Sequence, residues 1–304
     1  MRLTSRTTVI YTFDIGEQPN SFLQPAVLQV KYATNMPSPH ISVLLPTRGR
    51  TTTLLHSIES LLTTATDPDQ IEILLGMDRD DTASIQYVND VIVSRWPNNI
   101  HLVQLNPLGY GRLNVYYNTL SSLAQGFWFM VWNDDTVMQT TGWDKVLDQY
   151  ESHPMPLLRS NVVNMQHPFA LFPIIKRTWC ETLSTLSHFS HIDRFIYNVM
   201  QNITPAHKDQ WIINIPVDVL HDRADLTGNN QDETFRNSVS NYNENQPDNP
   251  FSDDYHCQHI IIMHNVNKIR LYLYQQFNIT IPQCDITQPL TVHKSFATSH
   301  GAGS

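Results

Sequence analysis

The chain has 304 residues, 41% hydrophobic and 15% charged, which is enough apolar material for a large core and too much for a disordered chain. Its formal charge of −9, with no run of Lys or Arg, argues against a protein that binds by neutralising nucleic-acid phosphates. Three cysteines, Cys180, Cys257 and Cys284, form no C-x-x-C pair, which excludes a disulfide framework or zinc-finger spacing and favours a reducing compartment.

Residues 1–39 carry one strand-like run, "TTVIYTF", and read as an N-terminal arm or extra strand layer. The opening residues lack the apolar core of a signal peptide, and no stretch approaches the ~20 apolar residues that span a bilayer. The expected setting is therefore cytoplasmic, with no transmembrane segment. From Ile41 the order sharpens. "ISVLLPTRGR" is a short β-rich run ending in a Pro/Gly turn, followed by the helix-patterned "TTLLHSIESLLTTA". "IEILLGMD" is a second buried strand, and "ASIQYVNDVIVSRW" a helix. "IHLVQLN" is a third strand leading through "PLGYGR" to the helix "LNVYYNTLSSLAQG". A fourth strand, "FWFMVW", delivers "NDDT".

Strands alternating with helices imply β-α-β units in an α/β fold with a mostly parallel, buried sheet. Ligands of such sheets sit outside the carboxyl ends of the strands. All four strands here end in polar or turn-forming residues, so those ends should share one rim. Beyond Gly142 the pattern loosens. "PLLRSNVV", "FALFPII" and "IPVDVLH" read as strands, and "KRTWCETLSTL" and "DRFIYNVMQN" as helices. Residues 228–252, rich in Asn, Asp, Ser and Gln, read as a loop or lid containing Asp232. A long helix is expected from Asp253 to Phe277, packing on the domain or on a second subunit.

Adjacent carboxylates at Asp134 and Asp135 suit Mg²⁺ or Mn²⁺, hard cations that share oxygen ligands with phosphates. The same residues also favour an ordinary turn after a strand. The rim decides between the two readings. It gathers Asp78, Asp80 and Asp81 with Arg48, Arg50 and Arg112, and so many acids on one edge need a cation or paired arginines.

In order and spacing, "ISVLLPTRGR", "LLGMDRDD", "GYGRLNVYYNTLSSLAQGFWFMVWNDDTVM" and "GWD" resemble the nucleotide-sugar half of GT-A glycosyltransferases, most similar to family 2. The resemblance covers about residues 40–145. It implies a GT-A, Rossmann-like domain whose acceptor-side half is 146–227, with 228–304 forming a lid loop and C-terminal helical extension. It also implies a metal-dependent transfer of sugar from a nucleotide-diphosphate donor to an acceptor hydroxyl, with inversion. Pro46, Thr47 and Arg48 would line the nucleotide pocket, and Asp78 or Asp80 would meet base or ribose. Arg112 would contact phosphate, supported by Asn114 and Asn118. Asn133, Asp134 and Asp135 stand where the family carries Asp-x-Asp, with Asn133 replacing the first acid. Asp135 is then the first metal ligand, Asp134 the second, and His221 completes the shell.

An inverting enzyme needs a carboxylate to take the acceptor proton. Asp193 in "HIDRF" is the candidate, with Glu181 behind it; a helix N-terminal role explains Asp193 as well. His188, His191, His256, His259 and His264 show no ligand spacing. The acceptor's identity stays open between a glycan and a small molecule, a nucleic acid being disfavoured by the acidic total; the C-terminal helix is expected to pack on the domain, with a homodimer through it left open. Two other readings stay open: a nucleotidyltransferase-like enzyme, for which "PTRGR" is poor in glycine, and a non-catalytic nucleotide-sugar-binding protein.

Overall fold

The computed structural model describes residues 11–12, 38–228 and 255–281. The described residues build one nine-stranded sheet flanked by helices, in the order β1-β4-β3-β2-β5-β8-β7-β9-β6. The strands are β1 (Tyr11–Thr12), β2 (Ile41–Thr47), β3 (Ile71–Asp78), β4 (Ile100–Leu105), β5 (Trp128–Val131), β6 (Thr136–Met138), β7 (Leu157–Val162), β8 (Ile174–Lys176) and β9 (Ile212–His221). The helices are α1 (Thr51–Thr64), α2 (Thr82–Tyr87), α3 (Leu113–Leu123), α4 (Trp143–Val146), α5 (Thr178–Leu183), α6 (Ile192–Ile203), α7 (Ala224–Thr227) and α8 (Tyr255–Phe277). This is the expected α/β class. Asp232 and the proposed lid beyond Gly228 lie outside the described residues, as does the arm apart from residues 38–39 and β1, which pairs in parallel with β4.

In the first half β2, β3, β4 and β5 are all parallel. Their mostly apolar runs follow from helices on both faces. Ile41, Val43 and Leu45 of β2 pack with Leu54, Ile58 and Leu61 of α1 and with Trp143 of α4. Leu44, of opposite parity, packs with Tyr116 and Leu120 of α3, the side that also holds α5, α6 and α8. "GWD" is spent on this packing. The Trp143 indole N–H donates to the Leu61 carbonyl, and Asp144 accepts from the backbone N–H groups of Thr66 and Asp67.

The second half is mixed. β8 runs antiparallel to both β5 and β7, β9 is parallel to β7, and β6 is antiparallel to β9. The expected strand "FALFPII" shrinks to Ile174–Lys176 because Pro168 and Pro173 offer no N–H to a ladder. Its front part is instead a buried loop, with Phe169 in one core and Phe172 in the other. The expected helix 253–277 begins at Tyr255, and it is more than a peripheral extension. Ile262, Met263, Val266, Ile269 and Leu273 of α8 enter the core. Its buried Arg270 donates to the carbonyls of Asn202 and Ile203, the otherwise unpaired C-terminal groups of α6. No helix among the described residues is long and apolar enough to cross a membrane.

The end of the sheet away from the rim is locked by Glu72. Its carboxylate accepts from the Ser42 hydroxyl and from the backbone N–H groups of Gln125 and Gly126. Gly126 closes the Ala-x-Gly turn before β5, and a Cβ there would lie 2.5 Å from both the backbone N and Oγ of Ser42. Backbone cannot yield as a flexible side chain can. Gly126→Ala is therefore expected to lower unfolding free energy by about 1–3 kcal/mol in urea titrations.

Candidate active site

Because β2 to β5 are parallel, Thr47, Asp78 and the residues after Leu105 and Val131 emerge on one edge. β3 and β4 lie to one side of β2, and β5 to the other. The chain therefore changes direction between β2 and β5, the place where open α/β sheets bind ligands. Asp134 stands there, and the Thr47 hydroxyl donates to its Oδ2 across the gap at 2.6 Å.

The turn that presents the carboxylates is anchored from both layers. Trp132 is fully buried and its indole N–H donates to Ser57 Oγ of α1 at 2.8 Å. From the other face, the Tyr117 hydroxyl of α3 lies 2.9 Å from the Trp132 carbonyl and 3.1 Å from Asn133 Oδ1. Beyond the turn, pairing of β6 with β9 sets Thr136 opposite His221. The backbone N–H of Asp222 then donates to the Asp135 carbonyl at 2.7 Å. The His221 backbone is held by both ends of the Asn164 amide, and its ring lies edge-on to Phe172.

Asp134 and Asp135 are both buried, and the compensating charge comes from within the chain. Arg50 Nη1 lies 3.0 Å from Asp134 Oδ1 and 3.1 Å from Asp135 Oδ2, with its side chain 8% exposed. His221 Nε2 lies 3.3 Å from Asp135 Oδ1. Burial, and then the Asp135 charge, push Asp134 up to about 6 against the pull of Arg50 and Thr47. Burial also works to raise Asp135, but the His221 hydrogen bond and charge, with Arg50, outweigh it and hold the group below the usual carboxylate range. Adjacency thus divides the pair into one readily ionised and one reluctant acid.

A second acidic station lies at the end of β3. Asp78 is buried, accepts from the Tyr116 hydroxyl, and accepts from Arg48 Nη1 at 2.7 Å. Arg48 also grips Asp80 at 2.5 and 3.1 Å, and this hydrogen bond holds Asp80 below its ordinary range. Asp81 accepts from the Gly49 N–H at 2.8 Å, which ties the loops after β2 and β3 together. Gly49 takes the left-handed φ of +68° that this turn requires.

The remaining candidates separate. Pro46 lies within β2, opposite Gly76. Arg112 is exposed just before α3. Asn118 is spent on structure, donating to the Ser187 carbonyl and accepting from the N–H groups of Leu186 and Ser187. Asn114 donates to the His188 carbonyl at 3.3 Å, with Ser190 Oγ 3.3 Å from its Oδ1. These two asparagines hold the loop that leads to α6, and Ser190 donates to the Gly111 carbonyl on the rim at 2.6 Å. The N-terminus of α6 therefore comes to the rim with Asp193. That carboxylate accepts from the Arg194 N–H at 2.8 Å and feels the charge of His221; burial pushes it up to about 6. Glu181 does not join this group. β8 is antiparallel to β5, with Lys176 opposite Trp128, so α5 starts at the other end of the sheet and leaves Glu181 exposed there.

Two carboxylates and an imidazole are a donor set suited to Mn²⁺ or Mg²⁺, and the buried Asp135 Oδ1 lies 3.3 Å from the His221 ring nitrogen. The residues fit such an ion in kind, with Arg50 at the seat. The donor atoms are not drawn to one point. Among the described residues, the group whose possible ligand atoms all lie within 4.8 Å of one another is His40, Asp148 and Glu151, at the opposite end of the sheet. Sequence reasoning missed the parts played by Tyr116, Tyr117, Ser57 and Asn164, whose roles depend on contacts between distant segments. Arg50 was visible as a rim residue but not as the bridge between the two acids.

No protein-family model matches the chain, and no curated protein matches it. Solved structures do resemble it. Residues 1–349 of S. aureus TarS in complex with UDP-GlcNAc are 12% identical, with a TM-score of 0.46, over 78% of this chain and 74% of that one. The mannosyltransferase PcManGT from Pyrobaculum calidifontis, in complex with GDP-Man and Mn²⁺, is 12% identical with a TM-score of 0.46, over 81% of this chain and 66% of that one.

Thr47→Val keeps shape and removes the hydroxyl that favours ionised Asp134. Asp134 has a folded pKa raised above its unfolded value, so the stability it contributes is present below about 4 and lost as pH rises through about 6. The substitution should deepen that loss. Unfolding titrations are expected to show a cost of about 1.5–3 kcal/mol at pH 8 and a smaller one at pH 5.

Proposed function

We propose that this chain is a GT-A glycosyltransferase, most similar to family 2, that moves a sugar from a nucleotide-diphosphate donor to an acceptor hydroxyl. The observation that carries the reading is the pairing of two buried acidic stations on one rim, Asp78 at the end of β3 and Asp134–Asp135 at the switch point. Asp78, oriented by Tyr116 and Arg48, receives the nucleoside's donor groups. Asp135 and Asp134, with His221, would hold Mn²⁺ or Mg²⁺, which when bound stabilises negative charge on the departing diphosphate. Arg112, exposed at the start of α3, is available to the phosphates. TarS with UDP-GlcNAc and PcManGT with GDP-Man and Mn²⁺ accord with this donor class.

Asp193 takes the proton from the acceptor hydroxyl as its oxygen attacks the sugar C1 and the C1–O bond to the diphosphate breaks; attack from the opposite face inverts the anomeric centre. A carboxylate raised to about 6 is ionised at neutral pH yet more basic than an ordinary one, as a general base should be.

A panel of UDP- and GDP-sugars with Mn²⁺ tests the assignment through ligand-dependent thermal stabilisation and slow donor hydrolysis. At least one donor is expected to give both; no response to any nucleotide or nucleotide sugar, with or without metal, would sink the reading. Turnover should rise with pH through about 6 as Asp193 ionises. Asp193→Asn should abolish transfer while donor affinity stays within a few-fold. Removing a half-buried acid whose ionisation opposes folding at neutral pH should also leave the variant about 1–3 kcal/mol more stable at pH 8. Lost donor binding or lower stability would make Asp193 structural.

A further inference from the structure

We infer that Arg50 is a resident counter-cation which must leave the Asp134–Asp135 seat before a divalent metal can enter, so that metal binding is held back until an anionic diphosphate offers the guanidinium another partner. The inference rests on the glycosyl-transfer reading for the identity of that anion. Its geometric basis is independent. A single nitrogen, Arg50 Nη1, lies 3.0 and 3.1 Å from one oxygen of each carboxylate. A metal bound at about 2.0–2.2 Å to the same two oxygens would occupy the same space. The two cations are mutually exclusive at that point.

Electrostatics reinforces the steric argument. The Arg50, Asp134 and Asp135 side chains are each less than a tenth exposed, so water screens little of the repulsion between a guanidinium and an arriving dication. Arg50 precedes the first turn of α1, which contains no acidic residue, and follows Gly49 in the rim loop. A diphosphate bridging the rim would bring oxygens that accept the same fork of N–H donors. In the free protein Arg50 keeps two adjacent buried carboxylates in place. With donor present it exchanges them for phosphate and gives the seat to the metal.

The test measures binding of Mn²⁺ alone, by calorimetry and by the electron paramagnetic resonance signal of free Mn²⁺, on nucleotide-free full-length protein. Arg50→Gln is expected to bind Mn²⁺ at least tenfold more tightly than wild type, and Asp135→Asn in that background should remove the gain. Arg50→Lys, which keeps the charge on a shorter side chain that reaches the carboxylates less well, should show an intermediate gain and carries the test if Arg50→Gln does not fold. Equal or weaker Mn²⁺ binding by the folded variants, or no Mn²⁺ binding in any of them, overturns the inference. No donor enters these measurements. Sugar transfer without a gain in metal affinity would leave the glycosyltransferase reading and remove the counter-cation, and a gain without transfer by any nucleotide sugar would do the reverse.

Discussion

Two carboxylates on consecutive residues, both withdrawn from water, cannot stand without positive charge beside them. In this protein that requirement organises the rim. It draws Arg50 out of the loop after β2, His221 from the end of β9 and the Thr47 hydroxyl from the strand across the gap. Thr47 and Arg50 come from the end of β2 and the loop after it, and His221 from the end of β9, so the pair stitches the parallel half to the mixed half at the point where the sheet changes direction. The cost of the arrangement is carried unevenly: Asp135 has the imidazole and stays easily ionised, whereas Asp134 is left reluctant.

The opposite end of the sheet shows the same kind of solution without a site. Glu72 is buried there too, yet it is met by the Ser42 hydroxyl and by backbone N–H groups. Hydrogen-bond donors that cannot move make a permanent joint. An arginine side chain with several rotatable bonds makes one that can be exchanged. The contrast between Glu72 and Asp134–Asp135 separates an acid fixed to strand and turn backbone from acids held by movable side chains.

Legibility in the sequence followed the range of the interactions. The four parallel strands and their helices could be read because β-rich runs and helical spacing are local patterns, and their polar endings already implied a shared rim. His221 could be placed because it closes a strand. Less could be read where distant segments pair. Nothing local in "TVM" says that it will run beside β9, and nothing in "KRTWCETL" says that an antiparallel β8 will carry Glu181 to the far end. "FALFPII" misled because burial, not pairing, makes it apolar. Tyr116 and Tyr117 are neighbours in sequence, yet one serves Asp78 and the other the turn before Asp134. That division depends on how α3 lies across the strand ends.

The buried Arg270 gives α6 a fixed end. Its guanidinium holds the final carbonyls of the helix, while Asp193 projects from the first turn, about 15 Å away along the axis. A packed helix transmits displacement as a rod does. The helix α8 thus supports the far end of the helix that brings Asp193 to the rim. The Asp134–Asp135 turn is braced instead by Ser57 of α1 and Tyr117 of α3. Loosening α8 would therefore free the C-terminal end of α6 and, with it, the placing of Asp193 at the rim.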